Sequence, residues 1–171
     1  LKSGATVGLG RSHPVIKKAE RAISRYHQGL WAFATSGGHA ALHTALMGLE
    51  IGPGGEVITT PYTWGASISC ILHTGAIPVF VDVDPVTGLL DPGCIEPAIS
   101  RRTKAILVVH IYGQPADMKT INRIANRRKL RVIEDGSQAH GATINGKTVG
   151  NFSDAAGFSC MGGKLLATAE A

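Results

Sequence analysis

Short apolar runs separated by segments of helical period constrain this sequence more than any other feature. The runs fall at residues 30–35, 56–60, 77–81, 105–109, 132–135 and 155–159. Runs of that length fit strands, and the helical segments between them (residues 12–28, 39–49, 63–73, 95–99 and 118–128) complete βαβ units around a mainly parallel sheet. The punctuation agrees. Ser12 and Pro14 open the first helix, Ser36-Gly37-Gly38 parts the first run from the second helix, and Gly52-Pro53-Gly54-Gly55 closes that helix. Pro61 ends the second run, Thr87-Gly88 turns within a polar loop over residues 82–91, and Asn145-Gly146 predicts a type I′ hairpin that brings Thr143 against Thr148.

The 171 residues are 44% hydrophobic and 17% charged, enough to bury one sizeable core. No apolar stretch approaches the ~20 residues of a membrane span, and the N-terminus has no basic segment followed by an apolar one. Cys70, Cys94 and Cys160 form neither a C-x-x-C pair nor an even disulfide set. Together these features lead us to expect a cytoplasmic protein with no membrane partner and no structural metal. The net charge of +5 raises nucleic acid as a partner. However, Arg101, Arg102 and Lys104, and the group Arg127, Arg128, Lys129 and Arg131, flank apolar runs at helix ends without interleaved aromatics. Solvated helix termini explain them better, and no nucleic-acid partner is expected. The chain opens at Leu1 and stops at Ala171 after an alanine-rich run with no cap, so a fragment is expected.

In open α/β sheets ligands bind beyond the carboxyl ends of the strands, so the polar residues that follow each run are the candidates. Ser36-Gly37-Gly38-His39 sits between a run and a helix, where backbone N–H groups can close on a phosphate; an ordinary strand-to-helix turn needs small residues too. It is neither G-x-x-x-x-G-K-S/T nor G-x-G-x-x-G. Asp135 ends an apolar run, where a carboxylate needs a partner: a protonated pyridine nitrogen, a structural arginine or a helix start all qualify. Glu134 beside it must face the other side of the sheet. Lys164 follows two glycines and precedes Leu165 and Leu166, an apolar setting that favours a neutral, nucleophilic amine, although a lone lysine is most often an exposed loop residue. Tyr62 and Trp64 follow a run and can stack on a planar ring or pack in the core. His110 and His140 lack a second ligand at metal-binding spacing and read as structural hydrogen-bonding residues.

Several longer motifs share one resemblance. They are Ser36-Gly37-Gly38-His39-Ala40-Ala41-Leu42-His43, Gly54-Gly55-Glu56-Val57-Ile58, Gly75-Ala76-Ile77-Pro78-Val79-Phe80-Val81-Asp82, Val109-His110-Ile111-Tyr112-Gly113-Gln114-Pro115-Ala116-Asp117, Glu134-Asp135-Gly136-Ser137-Gln138-Ala139-His140-Gly141-Ala142, and Phe158-Ser159 followed by Lys164. In order and spacing they resemble the DegT/DnrJ/EryC1/StrS family of sugar and cyclitol aminotransferases. That resemblance implies an α/β fold of three layers, α/β/α, with a mainly parallel sheet: the large domain of a fold type I pyridoxal-phosphate enzyme. Residues 1–171 would form an incomplete cofactor-binding domain, with the true N-terminal start and the small C-terminal domain missing.

By the same resemblance Lys164 is the catalytic residue, forming a Schiff base with pyridoxal 5′-phosphate and then moving a proton. Asp135 pairs with the pyridine nitrogen, Gln138 lies beside the phenolic oxygen, and Trp64 stacks on the ring. Gly38, His39 and Ala40 bind the phosphate through their backbone, with Ser159 as a further donor. His39 stands where the family commonly has threonine, so a hydroxyl contact is lost. The implied partners are glutamate or glutamine as amino donor, a keto-sugar or keto-cyclitol as acceptor, and a second copy in a homodimer with shared active sites. A lysine at 164, where a dehydratase relative has histidine, favours transamination. A non-catalytic regulator of the same fold and an elimination enzyme are the alternatives.

Overall fold

Ser36 begins the second of two units, Leu1–Thr35 and Ser36–Ala171, and the computed structural model describes residues 13–168 of the chain. In the first unit α1 (Pro14–Tyr26) has Pro14 at the first helical position, as expected, where its missing N–H costs nothing; His13 caps it, its Nδ1 accepting from Val15 N–H at 3.3 Å, and Ser12 lies outside the described residues. Residues 30–35, expected as a strand, form no strand element among the described residues. Apolar content makes a run strand-like, but only a partner strand makes it a strand. Here Ala34 N–H donates to Glu20 Oε1 at 2.9 Å instead, and Trp31 is 90% exposed.

The second unit runs α2 (Gly38–Gly48), β1 (Glu56–Thr59), α3 (Ala66–His73), β2 (Ile77–Phe80), α4 (Ile95–Ala98), β3 (Thr103–Val109), α5 (Met118–Arg128), β4 (Arg131–Asp135), a hairpin of β5 (Thr143–Ile144) and β6 (Lys147–Thr148), and β7 (Ala155–Gly157). Strands pair in the order β2-β1-β3-β4-β7, every pair parallel. The expected α/β class and the 145–146 turn are both present, with Asn145 at φ 51° and Gly146 at φ 78° between the antiparallel strands. α3 begins three residues later than expected, after a turn at residues 63–65.

β3 is buried along both faces, from Ala105 to Val109, as a central strand between helical layers must be. Ile58, Ile106, Leu107 and Ile133 lie fully buried with Leu42 and Leu46 of α2, Ile71 of α3 and Ile121 of α5. Each such side chain stabilises the fold by ~1.5–3 kcal/mol. Among the described residues no helix is long and apolar enough to cross a membrane. The basic groups are largely ion-paired: Arg102 with Glu56, Arg127 and Arg128 with Glu96, and Arg131 with Asp154.

Adjacent residues on β4 face opposite layers. Asp135 meets Ser67 of α3, whereas Glu134 meets residues 150–153, which α5 reaches through Asn122 Nδ2 to Phe152 O at 2.7 Å. Glu134 is completely buried and accepts from Gly150 N–H at 2.8 Å, Phe152 N–H at 2.9 Å, Ser153 O–H at 2.7 Å and His110 Nε2–H at 3.0 Å. His110 Nδ1 accepts from Ala116 N–H at 3.1 Å, which fixes the Nε2–H tautomer. Burial pushes the Glu134 carboxyl up, but the His110, Gly150 and Ser153 donors outweigh it and hold the group below its ordinary 4.5. A depressed carboxylate contributes stability above the unfolded value and loses it as pH falls through the folded one. We therefore expect Glu134→Gln to cost about 2–4 kcal/mol at pH 7 in urea unfolding and to flatten the loss of stability below pH ~4.5. An unchanged acid limb would show that this network does not carry the acid sensitivity.

Candidate active site

The carboxyl ends of β1, β3, β4 and β7 lie side by side, and the candidate residues follow them. Asp135, 4% exposed, accepts from Ser67 Oγ–H at 2.6 Å through Oδ2 and from Ser137 N–H at 3.0 Å through Oδ1. Ser67 in turn bonds Thr63 Oγ1 at 2.8 Å. The partner is thus a serine of α3 and a local backbone amide, not an arginine. A carboxylate has about four lone-pair sites, so two such donors orient Asp135 while leaving it able to accept more. Burial, and then the negative charge of Asp135, push the neighbouring Cys70 thiol up to about 12, which leaves it unreactive.

Gly38 opens α2, and the first helical bond is Ala41 N–H to Gly37 O at 2.9 Å. The amides of Gly38, His39 and Ala40 therefore precede the helical ladder and present the positive end of the helix. A Cβ on Gly38 would lie 2.7 Å from Ser159 Cβ and 3.3 Å from Ser137 Oγ. Only glycine lets the start of α2 approach the end of β7 and the turn after β4 this closely. Ser159 is itself buried, its carbonyl accepting from His140 Nε2–H at 2.7 Å. The His39 ring is engaged elsewhere: Nε2 lies 3.1 Å from His73 Nδ1 and the ring stacks on His43. Among the described residues no cluster of histidine, cysteine or acidic side chains is arranged to hold a metal ion.

Gln138 and Lys164 share a cavity of about 430 Å³ with Tyr112, Gly163 and Leu165. Gln138 Oε1 accepts from Tyr112 N–H at 2.7 Å. Lys164 is half-buried, and its loop turns through Lys164 N–H to Met161 O at 2.9 Å. Leu165 and Leu166 are 76% and 43% exposed, so the apolar neighbours expected to desolvate the amine do not pack over it in the single chain. Trp64, in the turn before α3, is 70% exposed and outside that cavity; it is not a core residue. Ser67 and Tyr112 were not among the sequence candidates, and Ser137 entered only as part of the segment from Asp135 to Gln138. The need of buried Asp135 for a donor was the only signal that pointed toward the two serines.

A parallel sheet of this order, with its candidate residues beyond the carboxyl ends, has the fold of the type I pyridoxal-phosphate-dependent transferases. The pattern that defines the DegT/DnrJ/EryC1/StrS aminotransferase family matches residues 5–171, and the chain belongs to that family. It is 48% identical over 151 residues to a pleiotropic regulatory protein of Geobacillus stearothermophilus, covering 88% of this chain and 41% of that one. It is 45% identical over 155 residues to the GDP-perosamine synthase of Caulobacter vibrioides, covering 91% and 42%. The crystal structure of DesV from S. venezuelae, in complex with a ketimine intermediate, superposes with a TM-score of 0.90 at 41% identity, covering 97% of this chain and 44% of DesV. The chain thus spans about two-fifths of the length of the curated relatives it matches. Replacing Gly38 with alanine should force α2 away from Ser159 and cost about 1–3 kcal/mol in urea unfolding. Full stability in that variant would show that the two elements do not meet.

Proposed function

We propose that this chain is the cofactor-binding part of a pyridoxal-phosphate-dependent aminotransferase that moves an amino group from glutamate or glutamine to a keto-sugar or keto-cyclitol. The observation that carries the reading is the cavity shared by Lys164 and Gln138, with an oriented, buried carboxylate at Asp135 and a helix start at Gly38 among the same strand ends. When bound, pyridoxal phosphate supplies an aldehyde carbon that takes up and releases the amino group, and a ring that accepts electrons.

The donor set fits such a group. The amides of Gly38, His39 and Ala40 and the Ser159 hydroxyl suit a phosphate dianion. Asp135, steadied by Ser67 and Ser137, suits a protonated ring nitrogen, and Gln138 suits the phenolic oxygen. Trp64 offers an uncovered aromatic face for the ring. Lys164 anchors the cofactor through Nζ and, once released, holds and moves the proton at the donor's α-carbon. The exposed Trp64, Tyr112 and Leu165 support a second copy of the chain covering the site in a homodimer. The regulatory relative favours a second reading, a non-catalytic regulator of the same fold, while the lysine at 164 favours catalysis.

The complete protein, incubated with pyridoxal phosphate and reduced with borohydride, should carry a pyridoxyl adduct that peptide mapping assigns to Lys164. Lys164→Ala should abolish the adduct and lower amino transfer from labelled glutamate by about 10³-fold or more. Absence of the adduct would sink the cofactor reading; an adduct without transfer to any keto-sugar or keto-cyclitol would favour the regulator.

A further inference from the structure

Five described non-glycine residues have a left-handed backbone. Gln28, Glu50 and Lys129 close helices and Asn145 forms the hairpin turn, whereas Tyr112, at φ 53° and ψ 20°, borders the Lys164 cavity. A bulky residue adopts this conformation only where its surroundings impose it. Three contacts do so. Tyr112 N–H donates to Gln138 Oε1 at 2.7 Å, its hydroxyl lies 3.1 Å from that of Tyr62, and Gly113, at φ 84°, has so little room that a Cβ there would lie 3.1 Å from Gln138 O.

The consequence falls on Gln138. A carboxamide has one acceptor oxygen and one NH₂ group. With the oxygen turned to Tyr112 N–H, the opposite end of the amide, Nε2–H, is the one left to face the cavity. The flipped amide would set NH₂ against the Tyr112 N–H, donor against donor, so the backbone of Tyr112 excludes it. We propose that Tyr112 is a positioning residue: its left-handed backbone, tethered through Tyr62, fixes the Gln138 amide so that the cavity offers a donor and selects a ligand with an acceptor oxygen there. The proposal rests on the cofactor reading above, in which that oxygen is the phenolic one. At an ordinary negative φ the N–H would turn away and the amide would be free to present either end.

The test uses the complete protein and pyridoxamine 5′-phosphate, which binds without a bond to Lys164, beside its 3-deoxy analogue, which lacks the phenolic oxygen. Tyr112→Val disfavours the left-handed backbone and should weaken pyridoxamine phosphate about tenfold, the effect of one lost hydrogen bond to a charged group. Tyr112→Gly adopts that backbone freely but loses the Tyr62 contact, and should weaken binding clearly less than Tyr112→Val, by about threefold. The 3-deoxy analogue should bind all three proteins alike. Gln138→Glu, which keeps an acceptor for Tyr112 but removes the donor, should reproduce the selective loss even if Tyr112→Val folds poorly. Equal losses in the glycine and valine variants, or an equal loss for the 3-deoxy analogue, would overturn the proposal and leave the cofactor reading intact. Failure of the unaltered protein to bind pyridoxamine phosphate at all would overturn both.

Discussion

A strand that ends in two consecutive carboxylates must send them to opposite faces, and both are too deeply buried here to be left to water. β4 resolves this in two different ways. Glu134 receives four donors, which use its acceptor capacity and fasten His110 and residues 150–153 to the layer of α5. Asp135 receives two, from Ser67 and Ser137, and keeps capacity in hand on the layer of α2 and α3. One carboxylate is therefore structural and its neighbour is available for chemistry, and the pleat of the strand makes the difference. A one-residue slip of β4 would exchange their roles, so the register of Val109 with Asp135 is a condition of the site as well as of the sheet.

Close approach is the second condition. Gly38 against Ser159, Gly157 against Leu42, and Gly136 against the Phe158 ring are places where a Cβ would collide. Together they draw the start of α2 down onto the ends of β4 and β7. This brings the amides at the start of α2 close to Ser159 without a long side chain having to reach across.

What the sequence made legible was local. Asn145-Gly146, the glycines before α2 and the buried end of β4 are written in consecutive residues, because turn chemistry and strand alternation act over two to four positions. Ser67 and Tyr112 were not legible: the first lies 68 residues from the carboxylate it serves, and the second acts through a backbone angle that no pattern of side chains announces. Residues 30–35 failed for the opposite reason. Their composition is strand-like, but pairing depends on a neighbour that the run itself cannot specify. The setting of Lys164 depends on its surroundings in the same way, since leucines exclude water only when something packs on them, and in the single chain Leu165 is exposed.

The histidine at 39, where the resemblance leads one to expect a hydroxyl, has a structural outcome that follows from α3. The first turn of α3 sends Ser67 to Asp135, and its last residue, His73, meets His39 with ring nitrogens 3.1 Å apart and ring centroids 5.0 Å apart. One nitrogen of that contact must carry a proton and the other must not, so the pair is a directional link from α3 to the first turn of α2. α3 is thereby fastened at both ends, to the carboxylate through Ser67 and to the helix start through His73. The histidine at 39 is thereby a brace that sets the distance between Asp135 and the start of α2.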